Sequence, residues 1–274
     1  MDLTPVGVVH SEIQIRSEMP AQGVTGVVEI FPEYIDALEG IKENSHLILL
    51  CWMHEGERTL LKAVSRRDPS NSPEKGIFAL RSPSRPNPIS VSIVRLLEIR
   101  EDRFLQLAHL DVIDKTPVLD LKPYQPGWDC VFSATNGDRT GKIKEMTTLI
   151  HQQNLLREAI NYHGEMCAGV AIAVRIALAS VRILGGDPHR TTITLTAGCD
   201  SCITDGLIGI TGARPGNGRL LLREERLHST LKECYSLSSP EIRLDFHLRT
   251  FPEDIDEILT CDEHLLFEIE TRIS

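Results

Sequence analysis

The sequence predicts two domains, an all-β barrel or sandwich over residues 1–135 and an α+β domain over residues 143–274. Three observations carry this division. Before about Asp129 the apolar residues fall in short β-branched runs, and after about Ile143 they fall at helical spacing. Between the two patterns lies the polar, glycine-containing stretch Ser133 to Lys142, which is the composition of a linker. A length of 274 residues with 41% hydrophobic and 25% charged content is ordinary globular composition, enough for two medium cores.

In the first domain, Val24 to Phe31 and His46 to Met53 are strand-like runs. Ile89 to Ile99 and Phe104 to Ile113 flank Glu101-Asp102-Arg103 as the arms of a hairpin flank their turn. Pro20, Gly23, Gly26, Pro32 and Gly40 punctuate the runs, and Arg66 to Lys75 is a longer polar loop. In the second domain, Ile143 to Tyr162 carries an amphipathic stripe, Met146, Ile150, Leu155, Leu156, Ala159 and Ile160. Ala168 to Leu184 is apolar almost all round and stops at Gly185-Gly186, the pattern of a buried helix. Thr191 to Thr196, Glu241 to Leu248 and Leu265 to Ile273 read as strands, with a short helix near Pro252 to Leu259.

A net charge of −10 argues against an extensive nucleic-acid surface, because phosphate contacts require a basic face. No run approaches the roughly 20 apolar residues of a bilayer span. Met1 to His10 lacks the basic, then apolar, character of a signal peptide, so a soluble, unprocessed, cytoplasmic chain is expected. Seven cysteines, an odd number spread along the chain, fit a reducing compartment better than a disulfide framework.

Three segments of the first domain concentrate polar chemistry. Arg81-Ser82-Pro83-Ser84-Arg85-Pro86-Asn87-Pro88 is a proline-stiffened loop with two arginines and an asparagine. Asp111 to Tyr124 interleaves Asp111, Asp114, Thr116, Asp120, Lys122 and Tyr124 with apolar residues, and Pro20 to Gly23 forms an early loop. By residues alone, these prolines serve equally well as turn formers between strands, with the charges solvated. The blocks GIFALRSPSRPNPISVS, LDVIDKTPVLDLKPY, VGVVHS and HLILLCWMH, in that company, closely resemble the signature of the tRNA-methyltransferase O family, also called TsaA-like or YaeB-like, from Leu3 to Asp129.

That resemblance implies a barrel-like methyltransferase domain that dimerises and binds S-adenosylmethionine between loops near the dimer interface. It places Gln22, Gly23, His54, Arg81, Arg85, Asn87 and Val91, together with Asp111, Val112, Ile113, Asp114, Lys115 and Thr116, about the cofactor. Ser90 and Lys115 stand where the family has glycine, and a lysine there must point away from a sulfonium. Methyl transfer is an in-line displacement that asks mainly for positioning and for negative charge near the sulfonium, which makes Asp111 and Asp114 the catalytic candidates. The glycine cluster Gly212 to Gly218 lacks the strand-turn-helix setting of a dinucleotide fold.

In the second domain His163 and Cys167 sit four residues apart before the buried helix, and Cys199-Asp200-Ser201-Cys202 with Asp205 follows a strand. Such donors can complete a zinc-like shell, although a cysteine is by itself more often a small buried hydrophobe. The segments YHGEMCAGVAIAVRIALASVRILG and CDSCITDGLIGITGARPGNGRLLL are similar to the FmdE-like domain, whose H-G-H-x-C-P-G and D-S-C elements are associated with metal binding. The resemblance implies His163, Cys167, Cys202 and Asp205 as ligands of zinc or another transition metal; Glu165, Ala168 and Ala213 depart from its usual histidine, proline and cysteine. The expected activity is S-adenosylmethionine-dependent methyl transfer, to a small molecule presented by the metal domain. N6-methylation of threonylcarbamoyladenosine at position 37 of a tRNA is the alternative acceptor chemistry, and a non-catalytic metal or cofactor binder is the alternative of another class.

Overall fold

The computed structural model describes all residues except 1, 21, 65–73, 135–142, 144–145, 190–191, 199, 223–233 and 274. Most of the polar loop expected at Arg66 to Lys75, most of the expected linker, Thr191 and Cys199 therefore lie outside the described residues. The chain forms two compact units, Met1–Val131 and Phe132–Ser274. Phe132, expected in the first domain, packs in the second, its ring 5.5 Å from that of Tyr162 and 5.2 Å beneath the Arg214 guanidinium.

The first unit is a closed six-stranded barrel in which every pairing is antiparallel. Its strands are β1 (Gly7–His10), β2 (Val24–Ile30), β3 (His46–Trp52), β6 (Ile89–Arg100), β7 (Phe104–Leu110) and β8 (Pro117–Pro123), ordered β1-β2-β7-β6-β3-β8 around the wall. The two-residue strands β4 (Lys62–Ala63) and β5 (Lys75–Gly76) pair separately. Alternation fills the interior: along β3, Leu47, Leu49 and Cys51 point inward and are fully buried, while Ile48, Leu50 and Trp52 face out. Val9, Val28, Val94, Leu105, Leu107 and Val118 complete this core. Burial also pushes the Cys51 thiol up to about 12, so it behaves as a core hydrophobe.

The β6–β7 hairpin closes through Glu101 and Asp102, with φ of 47° and 55°, and Arg103 N–H donates to Arg100 O at 3.1 Å. The register Arg100–Phe104 leaves three residues in the connection, and the two successive positive φ angles at its turn match the right-handed twist of the strands. β7 ends three residues before the expected Ile113. Between Val24/Leu110 and Gly26/Leu107 it advances three residues against two on β2, and the bulged His109 takes φ 64°.

The second unit stacks helices on one sheet. α1 (Pro126–Asp129) precedes it; α2 (Thr148–His163), α3 (Ala168–Leu184) and α4 (Ser201–Thr211) pack together against β9 (Thr194–Ala197), β10 (Leu220–Leu222), β11 (Cys234–Ser238), β12 (Ile242–Leu248) and β13 (Phe267–Ile273). The sheet order is β10-β9-β11-β12-β13, with only β9 and β10 parallel. The short helices α5 (Ile255–Thr260) and α6 (Glu263–Leu266) lead into β13. α3 is buried along nearly its whole length, as its uniform apolarity demands. Its Arg175 donates to Ile258 O and Cys261 O, both at 2.8 Å, and so satisfies carbonyls at the end of α5. α4, β10 and β11 were not foreseen.

Candidate functional site

In a closed antiparallel barrel, alternate connections emerge at the same end. The end of β1, the end of β3 and the end of β7 share one mouth, so the described residues flanking these strand ends, in 11–20 and 22–23, 53–64 and 74–88, and 111–116, belong to connections that leave and re-enter the barrel there. These connections contain the three segments singled out by their polar chemistry, and specific bonds tie the loop after β1 to the β7–β8 loop.

Asp111 opens the β7–β8 loop and accepts a hydrogen bond from the hydroxyl of Ser92, a buried residue on β6. Asp114 accepts from the Ser11 amide at 3.1 Å and donates its own N–H to Ile13 O at 2.8 Å, which joins it to the loop after β1. Gln22 O lies 3.3 Å from His109 Nδ1. Gly23 holds φ 74°, and a Cβ there would come within 2.7 Å of the His109 carbonyl carbon, so only glycine lets this loop touch the bulge of β7. Lys115 has φ 59° and donates its N–H to Val9 O at 2.8 Å; its side chain is exposed. The left-handed backbone is the physical reason glycine suits this position.

The remaining expected cofactor residues divide. Arg81 is exposed and donates Nη2–H to Val91 O at 2.7 Å, and Val91 itself is exposed. Arg85 Nη1 reaches Leu80 O at 3.4 Å, and its guanidinium lies 6.0 Å from the centre of the exposed Phe78 ring. His54 and Asn87 are exposed at the same mouth. Val112, Ile113 and Thr116 are buried, and Thr116 spends its hydroxyl on Ile113 O at 2.7 Å. These three shape the loop from beneath. Ser92 and Ser11, the partners of the two aspartates, were missed by sequence reasoning; strand alternation inward from Val94 was the signal for Ser92.

The second unit gathers His163, Cys167 and Cys202, whose donor atoms all lie within 4.8 Å of one another. Each comes from a helix end. His163 is the last residue of α2, stopped by the left-handed Gly164; Cys167 is the N-cap of α3, its sulfur accepting from Val170 N–H at 3.5 Å; Cys202 stands in the first turn of α4, capped by Asp200. A thiolate at a helix N-terminus is stabilised by the peptide dipoles. Burial, and then the neighbouring Cys167, raise the Cys202 thiol above its ordinary value. His163 Nε2 lies 3.6 Å from Cys167 Sγ, close to the separation of two donors on one tetrahedral zinc. The donor chemistry and spacing therefore fit a thiophilic metal.

Asp205, expected as a fourth ligand, is placed differently. Its Oδ2 lies 3.2 Å from His163 Nδ1, the ring nitrogen opposite the one that faces Cys167. Among the described residues, no other clustered set of histidine, cysteine and carboxylate donors has this spacing.

A small barrel with its polar loops at one mouth, in one chain with an α+β unit carrying an imidazole and two thiols, defines a two-module protein. Residues 8–130 match the family model of the tRNA-methyltransferase O N-terminal domain, and residues 162–252 match that of FmdE, of the molybdenum formylmethanofuran dehydrogenase operon. An S-adenosyl-L-methionine-binding protein of Archaeoglobus fulgidus is 41% identical over 48% of this chain and 94% of its own length. A probable S-adenosyl-L-methionine-binding protein of the same organism is 37% identical over 230 residues, 81% of this chain, an alignment longer than either unit. The chain spans 61% of the length of that relative. A third, from Methanothermobacter thermautotrophicus and also named a probable S-adenosyl-L-methionine-binding protein, is 42% identical over 44% of this chain and 88% of its own. Among solved structures, a crystal structure of TrmO is 35% identical over 50% of this chain and 61% of that one, at a TM-score of 0.42. TrmO from Pseudomonas aeruginosa is 21% identical over 92% and 94% of the two chains, also at 0.42. The chain belongs to the tRNA-methyltransferase O family through its barrel, and carries an FmdE domain as its second module. Among the described residues no helix is long and apolar enough to cross a membrane.

Proposed function

We propose that this chain is an S-adenosylmethionine-dependent methyltransferase whose donor binds at the mouth of the barrel. The observation that carries the reading is the convergence of the Arg81, Asp111 and Gln22 loops, with two carboxylates held in place by Ser92 and by the Ser11 amide. The bound donor would supply a methyl group on a positively charged sulfur, passed in line to a nucleophile. Asp111 and Asp114 offset that charge without needing to reorganise, because their oxygens are already fixed. Lys115 leaves its side chain exposed to solvent, where water screens its ammonium. Val112, Ile113 and Thr116 hold the loop's shape, and Gly23 keeps the early loop against His109. The exposed apolar side chains of Leu61, Phe78 and Val91 near the same mouth suit a homodimer formed through this domain, which a sedimentation measurement tests.

The acceptor in this reading is a small molecule presented by the second module. His163, Cys167 and Cys202 would hold zinc or another transition metal, which keeps a bound thiol or water deprotonated near neutral pH. The family's name supports a tRNA as a second acceptor, with N6-methylation of threonylcarbamoyladenosine at position 37 as the alternative chemistry; loss of that methylated nucleoside in a deletion strain would establish it. Calorimetric titration with S-adenosylmethionine, followed by detection of a methylated product, tests the proposal. Binding without product in the presence of candidate thiols and tRNA would leave a non-catalytic binder. The Asp111→Asn, Asp114→Asn double variant should lose methyl transfer by at least about 100-fold, a typical loss when fixed charge complementarity is removed. Retained turnover at unchanged cofactor affinity would take both carboxylates out of the mechanism. Equal turnover of chelated and metal-loaded protein would remove the metal from acceptor presentation.

A further inference from the structure

We infer that Asp205 is a positioning residue that sets the tautomer of His163 and thereby aims the ring's free lone pair at the two thiols. An ionised carboxylate only accepts hydrogen bonds, so Asp205 Oδ2 at 3.2 Å from Nδ1 places the ring hydrogen on Nδ1. In the neutral ring Nε2 is then the lone-pair nitrogen, and it is Nε2 that lies 3.6 Å from Cys167 Sγ. The other tautomer would put a hydrogen between the imidazole and the thiol cluster.

The scaffold makes this orientation rigid. Cys202 and Asp205 are three residues apart on α4, on one face of the helix, so a single element presents one thiol and the group that orients the histidine. α3 approaches α4 so closely at this point that a Cβ on Gly169 would lie 2.6 Å from the Cys202 Cβ. The Asp205 side chain is 40% exposed against 13% for His163. Water screens its charge, so its contribution is direction more than field strength. Asp205 thus occupies the place of an outer carboxylate behind a metal-binding imidazole, a partner whose loss ordinarily costs about 10–100-fold in metal affinity.

The inference deepens the metal reading of this cluster, and one of its two tests does not depend on that reading. Nitrogen-15 NMR of the metal-free full chain should show His163 with its hydrogen on Nδ1. In Asp205→Ala, which keeps a good helix former in α4, the ring should move toward the Nε2–H form. Asp205→Glu should restore part of the original state. An unchanged ring in Asp205→Ala overturns the inference whether or not the cluster binds metal. The second test is titration with cobalt(II), read by its thiolate charge-transfer and ligand-field bands. Asp205→Ala should bind about 10–100-fold more weakly, with the same saturated spectrum as the parent. Unchanged affinity overturns the inference, and so does a saturated spectrum altered as by the loss of a donor, which would make Asp205 a direct ligand. If the parent chain shows no thiolate band at all, the metal reading fails while the NMR result still decides the role of Asp205.

Discussion

Lys115 shows how far a single position can be understood from the sequence. Its place in the matched block was legible, and so was the substitution of a residue that is ordinarily glycine, but the cost was not, because a backbone angle is set by what the loop must join. With φ 59°, and its N–H committed to Val9 O, Lys115 pays the steric penalty of a side chain in the left-handed region. Lys115→Gly should raise unfolding free energy by about 0.5–1 kcal/mol, the relief of strain exceeding the added freedom of the unfolded chain. Equilibrium denaturation in urea checks this, and a loss of stability would mean that the lysine makes compensating contacts. Asp205 offers the complementary lesson. Spacing made it an expected metal ligand, whereas its actual place behind the His163 ring, against Nδ1, depends on how α2 and α4 cross.

At the scale of elements, α4 was missed for a physical reason. Gly206 and Gly209 lower its helix propensity and read as loop residues, yet they lie where the helix runs against its neighbours. A Cβ at Gly206 would meet the Ala173 Cβ at 2.6 Å, and one at Gly209 would meet Glu158 O at 2.8 Å. Gly206→Ala and Gly209→Ala should therefore each destabilise the chain by about 1–3 kcal/mol, although alanine is intrinsically the better helix former. Stabilisation in thermal melts would show that the packing relaxes. β8 escaped notice because prolines bound it at both ends, while the long runs of β2, β3, β6 and β7 were readable by alternation. On β12, burial alone would raise the Asp245 carboxyl, but hydrogen bonds from Ser236 and Arg243, with the charges of Arg243 and Arg272, hold it below its ordinary value. A carboxylate with a depressed folded-state pKa adds stability above its unfolded value of 3.8, and that contribution disappears as the pH falls through the lower folded value. Asp245→Asn should thus narrow the gap in stability between pH 6 and pH 3; an unchanged pH profile would refute the assignment.

For the whole molecule, the division into a β half and an α+β half could be read from the change in hydrophobic period, because each period reports a different way of burying one face. The placement of three distant loops at one mouth could not, since it follows from the strand order around the barrel. Metal removal is the measurement that belongs at this scale. Held at a hundredfold excess of free zinc over its dissociation constant, the chain should gain about 2.7 kcal/mol over its chelated form. Calorimetry that finds no difference would argue against a bound ion in the second unit. The barrel's far end carries a practical consequence. The Glu101-Asp102 turn lies across the full height of the wall from the mouth and joins two strands that pair on both sides. A short peptide epitope or a fluorophore spliced between those two residues would report on the protein in cells while leaving the loops at the opposite rim undisturbed.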